Sequence, residues 1–263
     1  MPVRIPRSSP FTTQFLVIGA LMQREIQTKF GAYQLGFIWF FIQPLLGVLV
    51  MGLLLGPFIG RSAPAMPYAF FLLNGFMLLG LFTAPMMVGM RALQSNQGLL
   101  VFPGVRPLDP YIARFVLELV TTLFVFGIFC AIAMWIGIWI SLDQLDILLY
   151  CFLLTWMTGC GFGLIFGVAA AYFKEVEQIV PILQRPLMFI SCVIHPAYTL
   201  PYAAKEILLK NPLVHTIELS RHALFPLYHL DGVNLLYPSV FAVSVLAAGL
   251  ILFRGHSHYL MQR

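Results

Sequence analysis

Residues 30–60 carry no charged side chain, and residues 62–90 carry none either. About 20 predominantly apolar residues make a helix that crosses the hydrocarbon of a bilayer, so these two adjacent runs commit the chain to a membrane before anything else is read. The remainder is built alike: of 263 residues 60% are hydrophobic and 10% charged, with a mean hydropathy of +0.90. An ordinary globular domain carries about 25% charged residues, and a polar coat this thin has to be replaced by lipid. The composition excludes a disordered chain and a disulfide-stapled secreted module. It also excludes a nucleic-acid binder, because the net charge of +5 rests on fifteen Lys and Arg scattered along the sequence. An all-α integral membrane protein is predicted, with one transmembrane domain over 1–263.

The gaps between charges predict six spans, at about 35–56, 68–90, 119–140, 147–173, 179–194 and 237–253. The third and fourth form a hairpin about the acidic turn at 141–146, and the fifth contains Arg185 and Pro186. Six spans put both termini on one side. Lys and Arg are retained in the cytoplasm, and cytoplasmic termini place eleven of the fifteen cations there, leaving Arg61, Lys205, Lys210 and Arg221 outside. The first long apolar run starts at Leu35, too far along for a cleavable signal, so the first span is expected to serve as an uncleaved one.

Two segments are neither loops nor spans. Residues 11–30 space Phe11, Phe15, Ile18, Met22 and Ile26 three or four apart, with Arg24, Glu25 and Lys29 near the end, which predicts an amphipathic helix in the cytoplasmic interface. Residues 197–236 hold short apolar pieces interrupted by Pro201, Pro212 and Pro226. Broken helices survive at membrane depth only where protein or a water-filled cavity covers their free backbone groups, and a re-entrant helical hairpin at the outer mouth is predicted. Within it Asn211 and Pro212 suit a helix start. Leu213, Ile217, Leu224 and Leu227 suggest an apolar face, while Glu218 and Arg221 stand at pairing distance.

Candidate chemistry is sparse. Cys130, Cys151, Cys160 and Cys192 all fall in predicted spans without CxxC pairing and read as small buried hydrophobes. His195, His215, His222 and His229 are scattered without thiol or carboxylate neighbours at ligand spacing, and His256 with His258 make only a lone HxH, so no metal site is predicted. No GxxxxGK[ST] occurs, so nucleotide is expected in a partner rather than in this chain. Gly159, Gly163 and Gly167 recur every four residues and form a ridge on which another helix can approach closely. Arg185 either snorkels to the cytoplasmic headgroups or faces a polar path for an anionic substrate.

The stretch 24–30 (REIQTKF), with LGFIW at 35–39 and Gln43-Pro44, resembles the start of the polysaccharide-exporting ABC transporter permeases. FFLLNG at 70–75, NQGL at 96–99, VRPLD at 105–109, VPILQRPLMFISC at 180–192 and NPLVHTIELSR at 211–221 are similar to the corresponding segments, in order and at matching separation. NQGL and NPLVHTIELSR look more like the capsular polysaccharide branch than the O-antigen or teichoic acid permeases. The rival reading is a secondary transporter or small-molecule and lipid exporter, which would need a membrane-embedded carboxylate, and Glu118 alone stands near a span. The resemblance implies a homodimer in the bacterial inner membrane, two cytoplasmic ATPase subunits that hold ATP and Mg, and a lipid-linked acidic polysaccharide as cargo. It further implies a periplasm-spanning copolymerase and an outer-membrane exporter. Candidate roles follow. Gln94, Ser95, Asn96, Gln97 and Gly98 would form the coupling element on the ATPase, and Asn211, Pro212, Glu218 and Arg221 a periplasmic gate. Arg24 and Lys29 would either recruit the anionic glycolipid or bind anionic headgroups. Tyr33 and Trp39 would border the first sugars or anchor the helix.

Overall fold

A computed structural model describes residues 10–31, 36–59, 65–92 and 106–261. Among these residues the chain forms nine α-helices and no strand: α1 (Pro10–Gly31), α2 (Gly36–Ile59), α3 (Tyr68–Ala92), α4 (Asp109–Trp135), α5 (Leu145–Tyr172), α6 (Val176–Ile190), α7 (Tyr202–Leu208), α8 (Pro212–Leu224) and α9 (Leu236–Met261). Five of them, α2, α3, α4, α5 and α9, are long and apolar enough to cross a membrane. Several hydroxyls within them are satisfied by their own helix, as a hydrocarbon surround favours: Thr121 donates to the Leu117 carbonyl at 2.7 Å, Thr158 to that of Leu154 at 2.8 Å and Ser244 to that of Val240 at 2.7 Å.

The expected span at 179–194 lies a few residues earlier, and its helix is not among the five long enough to cross. Helix α6 has 15 residues, includes Pro181 and Pro186, and ends at Ile190. At 1.5 Å per residue it is about 22 Å long, short of the roughly 30 Å hydrocarbon core. A tight turn through Cys192, at φ 54, then sends the chain elsewhere. The span expected at 119–140 begins earlier and stops sooner, at Trp135, with positive-φ Gly137 turning the chain towards α5. The segment 197–236 resolves into a short 3-10 turn at Ala197–Thr199, then α7 and α8.

Helix α5 is the centre of the bundle. The predicted glycine ridge is where α3 meets it: a Cβ on Gly159 would lie 2.4 Å from the Phe82 carbonyl oxygen, and one on Gly163 2.5 Å from that of Pro85. The opposite side of α5 uses Gly161 in the same way against α9, 2.7 Å from the Leu246 nitrogen. Backbones this close leave no room for any side chain, which is how helices gain contact where lipid offers no hydrophobic driving force between them. Around this spine Phe71, Leu78, Phe126, Phe152, Ile217 and Leu224 join α3, α4, α5 and α8 in one core. The amphipathic α1 lies on α4, where Gln14 donates to the Asp109 carboxylate and Glu25 Oε2 sits 3.0 Å from Arg114 Nε. That second contact is an ion pair without hydrogen-bond alignment. Asp109 also accepts from the Arg106 N–H at 2.8 Å, closing the first turn of α4. One side of α2 and of α6 turns apolar side chains outward, among them Leu53, Phe58, Ile182 and Leu183, while Phe41 and Val180 pack inward.

Candidate functional site

The densest polar construction among the described residues lies where α8 is pressed between α3, α5 and the turn that follows α6. Asn211 caps α8: its side chain accepts from the Leu213 N–H at 3.1 Å and donates to Ser191 Oγ at 3.0 Å, and Pro212 occupies the first helical position. One turn on, Thr155 of α5 donates to Thr216 at 3.0 Å, and Ser220 donates to Asn74 of α3 at 2.9 Å. Glu218 and Arg221, paired from spacing alone, are in contact at 2.8 Å, and neither side chain exceeds 1% exposure.

Arg221 reaches further than its partner. Its Nη1 also donates to the Cys192 carbonyl at 2.8 Å and its Nη2 to that of Val193 at 2.9 Å, while the guanidinium carbon stands 3.4 Å over the Phe71 ring. A Cβ on Gly75 would come within 2.9 Å of Nη2, so the glycine of FFLLNG makes room for the guanidinium. The left-handed backbone of Cys192, costly for a residue with a Cβ, aims its own carbonyl and the next at Arg221. Glu218 receives Tyr228 Oη on both oxygens, at 3.1 and 2.9 Å. Burial pushes the Tyr228 hydroxyl well above its ordinary range, keeping it a donor. A buried charge is tolerable only when paired and hydrogen-bonded, and here both conditions hold. His215 makes a second tie: its Nδ1 accepts from the Asn234 N–H at 3.0 Å, which leaves the Nε2 hydrogen for the Leu209 carbonyl at 2.7 Å. Burial lowers its pKa, favouring the neutral ring. This latch of Glu218, Arg221 and Tyr228 on the Cys192 turn offers no nucleophile with an adjacent base, and no cluster of three or more metal-ligating side chains occurs among the described residues. Its chemistry is mechanical: it holds α8 to the membrane helices.

The sequence-derived residues fall into separate places. Trp39 is exposed near the start of α2, Arg24 is exposed on α1, and Arg185 is exposed on α6. The Lys29 side chain, Tyr33 and the whole of Gln94, Ser95, Asn96, Gln97 and Gly98 lie outside the described residues. Leu213, Ile217 and Leu224 are buried as expected, whereas Leu227 is 87% exposed because α8 ends at Leu224 and the chain turns away at Phe225. Asn74, Ser220 and Tyr228 belong to the latch and were not singled out; the one sequence signal for them was the Asn-Gly of FFLLNG, a polar residue inside an apolar span. Sequence reasoning also missed a cavity of about 610 Å³ walled by α2, α3, α4 and α6. Glu118 borders it, one of the few buried carboxyl groups.

A bundle of long apolar helices with an amphipathic helix on one face and a short buried helix packed at the far end is the build of a membrane permease. Residues 17–225 match the ABC-2 type transporter family, and the chain belongs to that family. It is a transport subunit, not the ATPase, and a permease of this kind works with an ATPase subunit. The chain is 37% identical over 251 residues to the polysialic acid transport protein KpsM of Escherichia coli, covering 94% of this chain and 95% of that one. It is 30% identical over 210 residues to the capsule polysaccharide export inner-membrane protein CtrC of Neisseria meningitidis serogroup A, covering 80% and 79%. To BexB of Haemophilus influenzae, another capsule polysaccharide export inner-membrane protein, it is 28% identical over 211 residues, at the same coverage.

Proposed function

We propose that this chain is the membrane subunit of an ATP-driven exporter that moves lipid-linked capsular polysaccharide across the bacterial inner membrane. The observation that carries the reading is kinship along nearly the whole length to a polysialic acid transport protein, and over four-fifths of the chain to a capsule polysaccharide export inner-membrane protein. The spans, the interfacial helix and the lack of a GxxxxGK[ST] loop agree with it. Cytoplasmic termini follow from eleven of fifteen cations on the inner side. In this reading α6 and the segment after it complete a sixth crossing, and α7 and α8 form a re-entrant hairpin in which α8 is the part covered by protein. Two copies face each other, since one small bundle has no room for a hydrated polymer while two can part along a seam. The exposed apolar sides of α2 and α6 are suited to that seam.

Each step of the cycle has a candidate in the chain. Gln94, Ser95, Asn96, Gln97 and Gly98 seat in the two ATPase subunits. Arg24 and Lys29 meet the anionic head of the glycolipid, and Tyr33, Trp39 and Arg185 border the route of the first sugars. Asn211, Pro212, Glu218 and Arg221 hold α8 as the outer gate, beyond which a periplasmic copolymerase and an outer-membrane exporter receive the polymer. Disrupting the gene in its host should leave capsule polymer inside the cell, and a tagged copy should restore surface polymer and copurify with an ATPase. Normal surface polymer in the disrupted strain would overturn the reading.

A further inference from the structure

The loop between α4 and α5 has two faces. After α4 ends, burial alternates along the chain: Ile138 and Ile140 pack into the core shared with Phe225 and Tyr228, while Trp139 and Leu142 turn outward. Trp135 and Ile136, at the end of α4, are exposed as well, and the two tryptophans are 86% and 84% accessible. Ser141 then donates its N–H to the Leu224 carbonyl at 2.9 Å. That carbonyl belongs to the last turn of α8, whose final C=O groups have no partner within their own helix. The bond brings the turn after α8 alongside the loop, and there Leu227 is the next exposed apolar side chain. Trp135, Ile136, Trp139, Leu142 and Leu227 thus make an outward surface whose inner side is fastened to the end of α8.

An outward group of large apolar side chains marks a contact with protein or with membrane, and depth decides between them. Arg114 meets Glu25 of α1, the amphipathic helix of the inner interface. Trp135 follows in the same helix, about 32 Å further along its axis. The hydrocarbon core is about 30 Å thick, so the tryptophans stand at the opposite headgroup level, where an indole buries its rings and keeps its N–H in a polar layer. The nearby charges select the headgroup. No Lys or Arg occurs between Arg114 and Lys174, and Asp143 and Asp146 are exposed on the loop and the first turn of α5. Two carboxylates attract an ammonium and repel a lipid of net negative charge.

We infer that this surface is a foot set in the outer leaflet, on headgroups that carry an ammonium, and that the bond from Ser141 to Leu224 makes the foot a support for α8. The foot goes beyond the export reading, which supplies only its orientation and the role of α8 as outer gate.

The test uses the full-length permease in lipid nanodiscs. Trp39→Phe with Trp156→Phe leaves Trp135 and Trp139 as the tryptophans of the chain, and their fluorescence is followed with phospholipids brominated near the ester end of the acyl chain. Brominated phosphatidylethanolamine should quench about twofold more strongly than brominated phosphatidylglycerol at equal mole fraction, and Asp143→Asn with Asp146→Asn should bring the two lipids level. A second reporter reads the support of α8. Ala223→Cys, at a buried position of α8, is labelled with a membrane-impermeant maleimide in a Cys130→Ala background; the other three cysteines are buried. Trp135→Gln with Trp139→Gln should speed this labelling about tenfold, whereas Trp135→Tyr with Trp139→Tyr, which keeps residues suited to the headgroup level, should leave it within about twofold. Gel-filtration profiles report the folding of each variant. Tryptophans that neither lipid quenches face water or a periplasmic protein and overturn the membrane contact. Equal quenching by the two lipids with Asp143 and Asp146 in place overturns the choice of headgroup, and unchanged labelling in the glutamine variant overturns the support of α8. Quenching is read without cargo, so its failure with polymer still exported removes the foot alone, whereas failure of the surface-polymer test removes the export reading.

Discussion

Replacing Arg221 with methionine is the sharpest single perturbation of this fold. Methionine keeps the unbranched apolar stem and loses the guanidinium, so most of the loss is in charge and hydrogen bonding, with a small void left beside Phe71 and Gly75. The carbonyls of Cys192 and Val193 lose donors at 2.8 and 2.9 Å, and Glu218 loses a contact at 2.8 Å, all at sites closed to water. Each hydrogen bond to a charged group is worth about 1.5–3 kcal/mol, but they share one guanidinium and do not add. Breaking a buried pair by removing one partner costs about 3–5 kcal/mol. With roughly 2–4 °C of midpoint per kcal/mol for a chain of this size, the protein should lose about 10 °C of thermal stability. Fluorescence-detected size exclusion after heating in detergent reads that loss directly. The cycle with Glu218→Gln isolates the pair: the double variant should be less damaged than the sum of the singles, because Arg221→Met strands a carboxylate that Gln does not leave behind. A midpoint for Arg221→Met within about 2 °C of the parent, a change below about 1 kcal/mol, would refute the latch as a source of stability.

Two further outcomes follow from close packing and from the buried histidine. Gly159→Ala drives a Cβ to 2.4 Å from the Phe82 carbonyl oxygen. The overpacking cost of about 1–3 kcal/mol should exceed the gain of about 1 kcal/mol in helix propensity. Gly127→Ala, with nothing within 4 Å, should be neutral or stabilising by the same thermal assay. His215 has a pKa below its ordinary 6.5 through burial, so the unfolded chain takes up its proton first. Its contribution is therefore complete above 6.5 and declines as the pH falls towards the folded value. The thermal midpoint should drop between about pH 7 and pH 5, and His215→Gln should flatten part of that slope; an unchanged slope would show that the ring does not titrate on unfolding.

Residues 30–60 illustrate what could be read from sequence and why. Leaving water for lipid is a cost summed residue by residue along a segment, so the hydropathy of one stretch decides its fate without reference to the others. The helix over 11–30, the start of α8 at Asn211-Pro212 and the glycine ridge were legible for the same reason, being local patterns with a local cause. The contact of Glu218 with Arg221 was legible too, because three residues along a helix is a fixed distance.

Tertiary structure decided the rest. Lipid and protein interior are both apolar, so a membrane helix carries little amphipathic signal to say which face meets protein. α5 is the central helix and α2 an outward-facing one, yet by length and hydropathy both read alike as spans. The end of α6 at Ile190 depends on the turn at Cys192, and the carbonyls of that turn are held by Arg221, nearly thirty residues away along the chain. α8 is buried on every side because α3 and α5 offer Asn74 and Thr155 to its polar groups. The cavity at Glu118 exists only where four helices fail to meet. Each of these is a relation between segments distant in sequence, and one-dimensional hydropathy carries no information about which segments come together.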